Sequence, residues 1–67
     1  MMGINEMVQK LKSGAKLRRK GSVAFVDGSY VDYIDGKGMI VHPSGEMEIY
    51  LPTDDDMEYD DWEEVSV

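Results

Sequence analysis

The sequence predicts an α+β domain: one N-terminal helix packed on a twisted antiparallel sheet of five or six short strands. Three observations carry that reading. Apolar residues near the start recur at the helical period. From Lys16 onward, short runs with the alternation of strands are separated by glycine turns. A chain of 67 residues is too short for a second core, so residues 1–67 are read as a single domain.

The helix rests on Ile4, Met7, Val8 and Leu11, which fall at i, i+3, i+4 and i+7 and make one apolar stripe. Gly3 or Asn5 can start it, Lys10 and Lys12 suit its negative C-terminal end, and Ser13-Gly14 stops it. Lys16 to Lys20 reads as the first strand, with Leu17 and Arg19 on one face and Arg18 and Lys20 on the other. Ser22 to Val26, rich in β-branched and aromatic residues, reads as the second, and Asp27-Gly28 as a hairpin turn. Ser29 to Ile34 is the third, closed by Asp35-Gly36. Met39 to His42 is the fourth, and Pro43-Ser44-Gly45 turns into the fifth, Glu46 to Leu51. In that fifth strand Met47, Ile49 and Leu51 alternate with Glu46, Glu48 and Tyr50, which predicts that the first set is buried. Thr53 is placed to cap a short acidic helical turn over Asp54 to Asp56, and Asp61 to Val65 reads as a last strand carrying Trp62.

Composition narrows the function. The net charge is −7, which disfavours direct binding to nucleic-acid backbones. No cysteine and a single histidine leave no disulfide and no thiolate zinc site. An EF-hand loop begun at Asp54 fails, because its sixth position is Tyr59 and its twelfth is Val65. No metal or other cofactor is therefore expected. No apolar run approaches the roughly 18 residues that cross a bilayer, and the start lacks the pattern of a signal peptide. The expectation is a soluble, cytoplasmic protein with no membrane partner. Phosphate-cradling glycine motifs are absent, and His42 precedes Pro43 with no paired motif around it, so catalysis is not expected. A core this small points to a homo-oligomer, with Trp62 either packed on the helix or at the subunit interface.

The charge is polarised. Residues 1–20 carry a net +5 and residues 21–67 a net −12. On a strand Arg18 and Lys20 present two cations on one face about 7 Å apart, a spacing that suits a phosphate. With Arg19 beside them, and Tyr30, Tyr33 and Tyr50 on nearby strands to stack on a base, they form a candidate site for a small anionic nucleotide. The competing reading pairs these cations with Glu46, Glu48 or the acidic tail.

Two stretches resemble a known family. Glu6-Met7-Val8-Gln9-Lys10-Leu11-Lys12-Ser13-Gly14-Ala15-Lys16-Leu17-Arg18-Arg19-Lys20 resembles the opening of the Thoeris anti-defence family of small phage proteins. Leu51-Pro52-Thr53-Asp54-Asp55-Asp56-Met57 through Asp61-Trp62-Glu63-Glu64-Val65 resembles that family's closing segment. The resemblance implies an α+β homo-oligomer that binds without catalysis. Its role would be a sponge sequestering a cyclic nucleotide or cyclic ADP-ribose signal made by bacterial immune systems. The chain departs from relatives in carrying Ser22 where they often place tryptophan, and in a shorter middle, residues 21–51, that lacks their second tryptophan. The expected function is that of a phage-encoded sponge. The alternative is an acidic inhibitor that binds a basic host protein, as a nucleic-acid mimic does. A blander possibility is a small virion component that only self-associates.

Overall fold

The structure is a computed structural model that describes residues 2–66. Helix α1, Ile4–Lys12, buries Met7 and Leu11 and lays Ile4 against the same cluster, while Val8 sits at the exposed edge of the stripe. Gly3 caps its start without a side chain, and the chain leaves it through Ser13 and Gly14, whose φ of +106° favours glycine.

Five strands follow: β1 (Leu17–Arg19), β2 (Tyr30–Ile34), β3 (Lys37–Val41), β4 (Met47–Ile49) and β5 (Trp62–Glu64). They form one antiparallel sheet in the order β4-β3-β2-β1-β5. Ile34 pairs with Lys37 across the two-residue turn Asp35-Gly36, where both residues take positive φ. That is the turn an Asp-Gly pair favours between antiparallel strands. Helix α2, Asp54–Glu58, begins at Thr53, and α1 and α2 both lie on one face of the sheet. The core between them is Met7, Leu11, Leu17, Phe25, Val31 and Trp62. The fold is therefore α+β with an N-terminal helix on an antiparallel sheet. No helix among the described residues is long and apolar enough to cross a membrane.

Three local expectations are corrected. Ser22 to Val26 is not a strand: Val23–Phe25 is a single 3-10 turn, capped by the Ser22 hydroxyl accepting from the Ala24 N–H at 3.2 Å. Both sides of β1 are already taken, by β2 and β5, so no ladder position remains for the segment, and tertiary pairing overrides its strand composition. Asp27-Gly28 accordingly closes that turn, with the Gly28 N–H donating to the Phe25 carbonyl, and does not join two paired strands. The third correction concerns β4, whose apolar residues point away from the core. Met47, Ile49 and the following Leu51 are 55%, 56% and 74% exposed. Tyr50 faces the core instead, because only one face of the sheet is covered and its hydroxyl finds a partner there.

The 3-10 turn makes a direct prediction. On a strand Val23 and Phe25 would share a face, but here Phe25 is buried and Val23 is 88% exposed. Phe25→Ala should cost about 3–5 kcal/mol in urea unfolding, and Val23→Ala should stay within about 0.5 kcal/mol. Comparable losses for the two variants would contradict the turn.

Candidate functional site

The alternation of β1 sends Leu17 and Arg19 inward, so a guanidinium enters the core beside an apolar side chain. Arg19 forks onto Asp61, its Nε donating to Oδ1 at 2.7 Å and Nη2 to Oδ2 at 3.3 Å, while Nη1 donates to Asp56 Oδ1 at 3.0 Å. The second oxygen of Asp56 accepts from the Tyr50 hydroxyl at 2.8 Å and from the Thr53 N–H at 3.1 Å. The Thr53 hydroxyl in turn accepts from the Asp56 N–H, which completes a capping box at the start of α2. Tyr59 lays its ring 5.1 Å from the guanidinium carbon. Among the described residues no buried side-chain nitrogen or oxygen lacks a hydrogen-bond partner.

The network shifts Arg19, Asp61, Asp56 and Tyr50. The hydrogen bonds to Asp61 hold Arg19 above its ordinary value against the opposing effect of burial, and the same bonds hold Asp61 below the usual carboxylate range. Burial pushes Asp56 up, but the Thr53 N–H, the Tyr50 hydroxyl and Arg19 together outweigh it and hold it low. Burial, then the hydrogen bond to Asp56, raises the Tyr50 phenol well above its usual range.

This network floors a cleft of ≈ 660 Å³ walled by Ser22, Phe25, Tyr50, Thr53, Asp55 and Tyr59. The Gly21–Phe25 segment separates it from a second cleft of ≈ 300 Å³, which Arg18 and Lys20 wall and which shares four lining residues with the first. Gly21 is required at this junction. Its N–H donates to Asp61 Oδ2 at 3.0 Å, and a Cβ there would sit 2.8 Å from the same oxygen.

The residues singled out in the sequence do not converge as expected. Arg18 lies on the open face of β1 with its Nε donating to Glu63 Oε2 at 2.7 Å. Arg19 is buried, with Nε, Nη1 and Nη2 each donating to Asp56 or Asp61. Only Lys20 of the three is exposed with no carboxylate ion pair among the described residues. The tail pairing that the charge pattern allowed is thus realised for two of the cations, through Asp56, Asp61 and Glu63. Tyr30 and Tyr33 project from opposite faces of β2, since they are three residues apart on one strand, and Tyr33 pairs with Gly38 close to the hairpin turn. Tyr50 alone among the three lines the larger cleft. Trp62 is 4% exposed, packed edge-on between Phe25 and Tyr50, so it belongs to the core of one chain and offers nothing to a subunit contact.

Asp56, Asp61 and Tyr59 were not anticipated as site residues. The spacing of Thr53 and Asp56 is a capping-box signal, which would have singled out Asp56 among the acids.

A second polar cluster surrounds His42. Its Nδ1 meets the Ser29 hydroxyl at 2.7 Å and Asp27 at 3.3 Å, and its Nε2 meets Glu48 at 2.7 Å. Ser29 also donates to Asp27. Serine, imidazole and carboxylate stand in the order of a hydrolytic triad, but Ser29 is wholly buried and lines neither cleft. What the cluster does is tie the segment after the 3-10 turn to the end of β3 and to β4. The Glu48 hydrogen bond, opposed by burial and reinforced by Asp27, raises the imidazole above its ordinary value, and the Ser29 hydroxyl lowers Asp27.

Two predictions follow from these charges. Removing the guanidinium strands two carboxylates, so Arg19→Ala should cost about 3–5 kcal/mol in denaturant unfolding. A loss under about 1 kcal/mol would mean that the network contributes little. For pH the signs oppose. Asp27, Asp56 and Asp61 are held low, so their contribution is complete above the ordinary 3.8 and is lost as pH falls further. His42 is held high, so its contribution is complete below the ordinary 6.5 and is lost as pH rises through its shifted value. Urea midpoints should therefore be highest between these two values, and His42→Gln should flatten the alkaline limb alone. A wild-type midpoint still rising above about pH 8 would contradict this.

No protein-family model and no curated protein matches this chain.

Proposed function

We propose that this protein is a non-catalytic binder that sequesters a small phosphate-bearing nucleotide signal, of the cyclic nucleotide or cyclic ADP-ribose kind, as a phage-encoded sponge. The observation that carries the reading is the ≈ 660 Å³ cleft with its hydrogen-bonded polar floor, set beside Lys20, which has no carboxylate ion pair among the described residues. Its volume falls within the roughly 300–1,000 Å³ of small-ligand sites. Asp55 supplies an acceptor for ribose hydroxyls and base N–H groups, and the half-exposed Tyr59 supplies a ring on which a base can stack. A phosphate directed out along Gly21 and Ser22 meets Lys20. The floor is already hydrogen-bonded within the chain, so a ligand need not order it, which lowers the cost of binding. The likeness of both chain ends to the Thoeris anti-defence family supports the same reading.

Calorimetry against a panel of cyclic dinucleotides and cyclic ADP-ribose isomers tests it. Saturable heat with at least one member is expected, with the nucleotide recovered intact by chromatography. Lys20→Ala should weaken that binding by about 1.5–3 kcal/mol, the loss of one charge-assisted contact. Silence across the whole panel, or breakdown of the bound nucleotide, would overturn the proposal.

A further inference from the structure

We infer that His42 is a proton-operated latch on the wall of the smaller cleft. As an imidazolium it ties a strap, residues 26–29, to the β3–β4 hairpin, and loss of its proton releases that strap. The strap runs between two fixed points, since Phe25 before it is buried in the core and Tyr30 after it is paired in β2. Val26 lines the smaller cleft yet is 83% exposed, so its own packing does little to hold the strap. The backbone bonds of the strap return to its own turn, from the Val26 N–H to the Val23 carbonyl and from the Gly28 N–H to the Phe25 carbonyl. What reaches across to the hairpin is the cluster of Asp27, Ser29, His42 and Glu48.

The hydrogens available in that cluster fix the charge of His42. Ionised Asp27 and Glu48 can only accept, and the Ser29 hydroxyl has a single hydrogen to give. Ser29 donates it to Asp27, so the hydrogen in the 2.7 Å contact between Ser29 Oγ and His42 Nδ1 comes from the imidazole. The 2.7 Å contact between Nε2 and Glu48 Oε2 takes a hydrogen from the imidazole as well. Only the imidazolium carries both. A neutral ring sets one bare nitrogen against an acceptor. Either Nε2 faces Glu48, or Nδ1 draws the Ser29 hydrogen away from Asp27 and faces Asp27 Oδ2 at 3.3 Å.

The surrounding charges act in the same sense. Asp27 approaches from the strap and Glu48 from β4, while Glu46, across the hairpin turn, accepts the His42 N–H at its backbone carbonyl at 2.8 Å. From β2 the nearest titratable side chain in register is Tyr30, opposite Val41. Among the described residues no lysine or arginine makes an ion pair with Asp27 or Glu48. Deprotonation therefore leaves two carboxylates around an uncharged ring, in a chain of net charge −7. The imidazole is accordingly held above its ordinary value, first by the Glu48 hydrogen bond, and Asp27 below its own, first by the Ser29 hydroxyl. The latch is complete between the ordinary 3.8 of Asp27 and the ordinary 6.5 of His42, and opens as pH rises through the shifted value of His42. Opening is local, because Phe25 and β2 stay in place, and it does not depend on what either cleft binds.

His42 is the only histidine, so nitrogen NMR reads its ring directly. Both ring nitrogens should be protonated at about pH 6. The titration midpoint should lie above the ordinary 6.5. Amide exchange gives the local readout: between about pH 6 and about pH 9, protection of Gly28 and Ser29 should fall about tenfold further than that of Val31 in the core. His42→Gln, a neutral side chain with one donor amide and one acceptor, should show the weakly protected strap throughout that range. Glu48→Gln, at a 62% exposed side chain, should leave the chain folded and move the imidazole midpoint down. A neutral imidazole at about pH 6, or strap amides that follow Val31 across the range, would overturn the inference. A strap fully protected in His42→Gln, or a midpoint unmoved in Glu48→Gln, would overturn it equally.

Discussion

Arg19 is a full charge placed where the alternation of a strand sends side chains into the core, and an isolated ion there costs several kcal/mol. The chain meets that cost by bringing two carboxylates from its last third onto one guanidinium, Asp61 at 2.7 Å and Asp56 at 3.0 Å. Much of the architecture follows from this requirement. Asp61 must precede β5 on the side where β1 is open, which sets the pairing of Arg19 with Trp62. Asp56 must sit in the first turn of α2, which orients that helix over Trp62 and lets the indole N–H reach the Asp56 carbonyl at 3.4 Å. The remaining lone pairs of Asp56 hold Tyr50, which turns β4 so that its aromatic residue faces in and its aliphatic residues face out.

Features governed by near neighbours were legible in the sequence. The stripe Ile4, Met7 and Leu11 marked α1, Asp35-Gly36 marked the hairpin, and Thr53 marked the cap of α2. What could not be read depends on partners far along the chain. The bond from Arg19 to Asp61 spans 42 positions, and nothing in either neighbourhood announces it. The face of β4 was read inversely because alternation gives two faces without saying which is covered, and Met47, Ile49 and Leu51 outweigh a single tyrosine by hydropathy. The composition of Ser22 to Val26 favours a strand in isolation, yet β1 had no free edge to receive it. For the candidate site, the basic strand was identified, but the tyrosines grouped with it scatter over both faces of the sheet.

The same network sets the limits of the cleft. Because every donor of Arg19 that reaches a carboxylate is already engaged, the guanidinium acts as a scaffold and not as a hook for an incoming anion. The groups left uncommitted around the cleft are at its rim: Asp55, Tyr59, and Lys20 beyond the turn. Gly21 couples the two levels, since its N–H fixes the position of Asp61 while its missing side chain lets the rim approach the floor. The His42 cluster holds the far end of the same rim by tying Asp27 and Ser29 to Glu48, so the cleft wall is anchored at both ends by charged side chains.

The polarity of the sequence acquires a structural meaning from these contacts. Lys10, Arg18 and Arg19, from the basic opening, each close an ion pair with the acidic closing segment, to Glu64, Glu63, Asp56 and Asp61. Opposite charge at the two ends of the chain therefore joins them across the β1–β5 ladder, a contact of large sequence separation that local propensity would not secure. After that pairing, the acidic excess left on α2 faces away from the open side of the sheet, where the charges of Asp32 and Glu63 are cancelled. One side of the molecule thus carries the acidic turn of α2 and the larger cleft, and the other carries Met39, Val41, Met47 and Ile49 beside carboxylates that are already paired. Such a division leaves the larger cleft and the outward residues Met39, Val41, Met47 and Ile49 on separate surfaces, so that substitutions on one need not disturb the packing of the other.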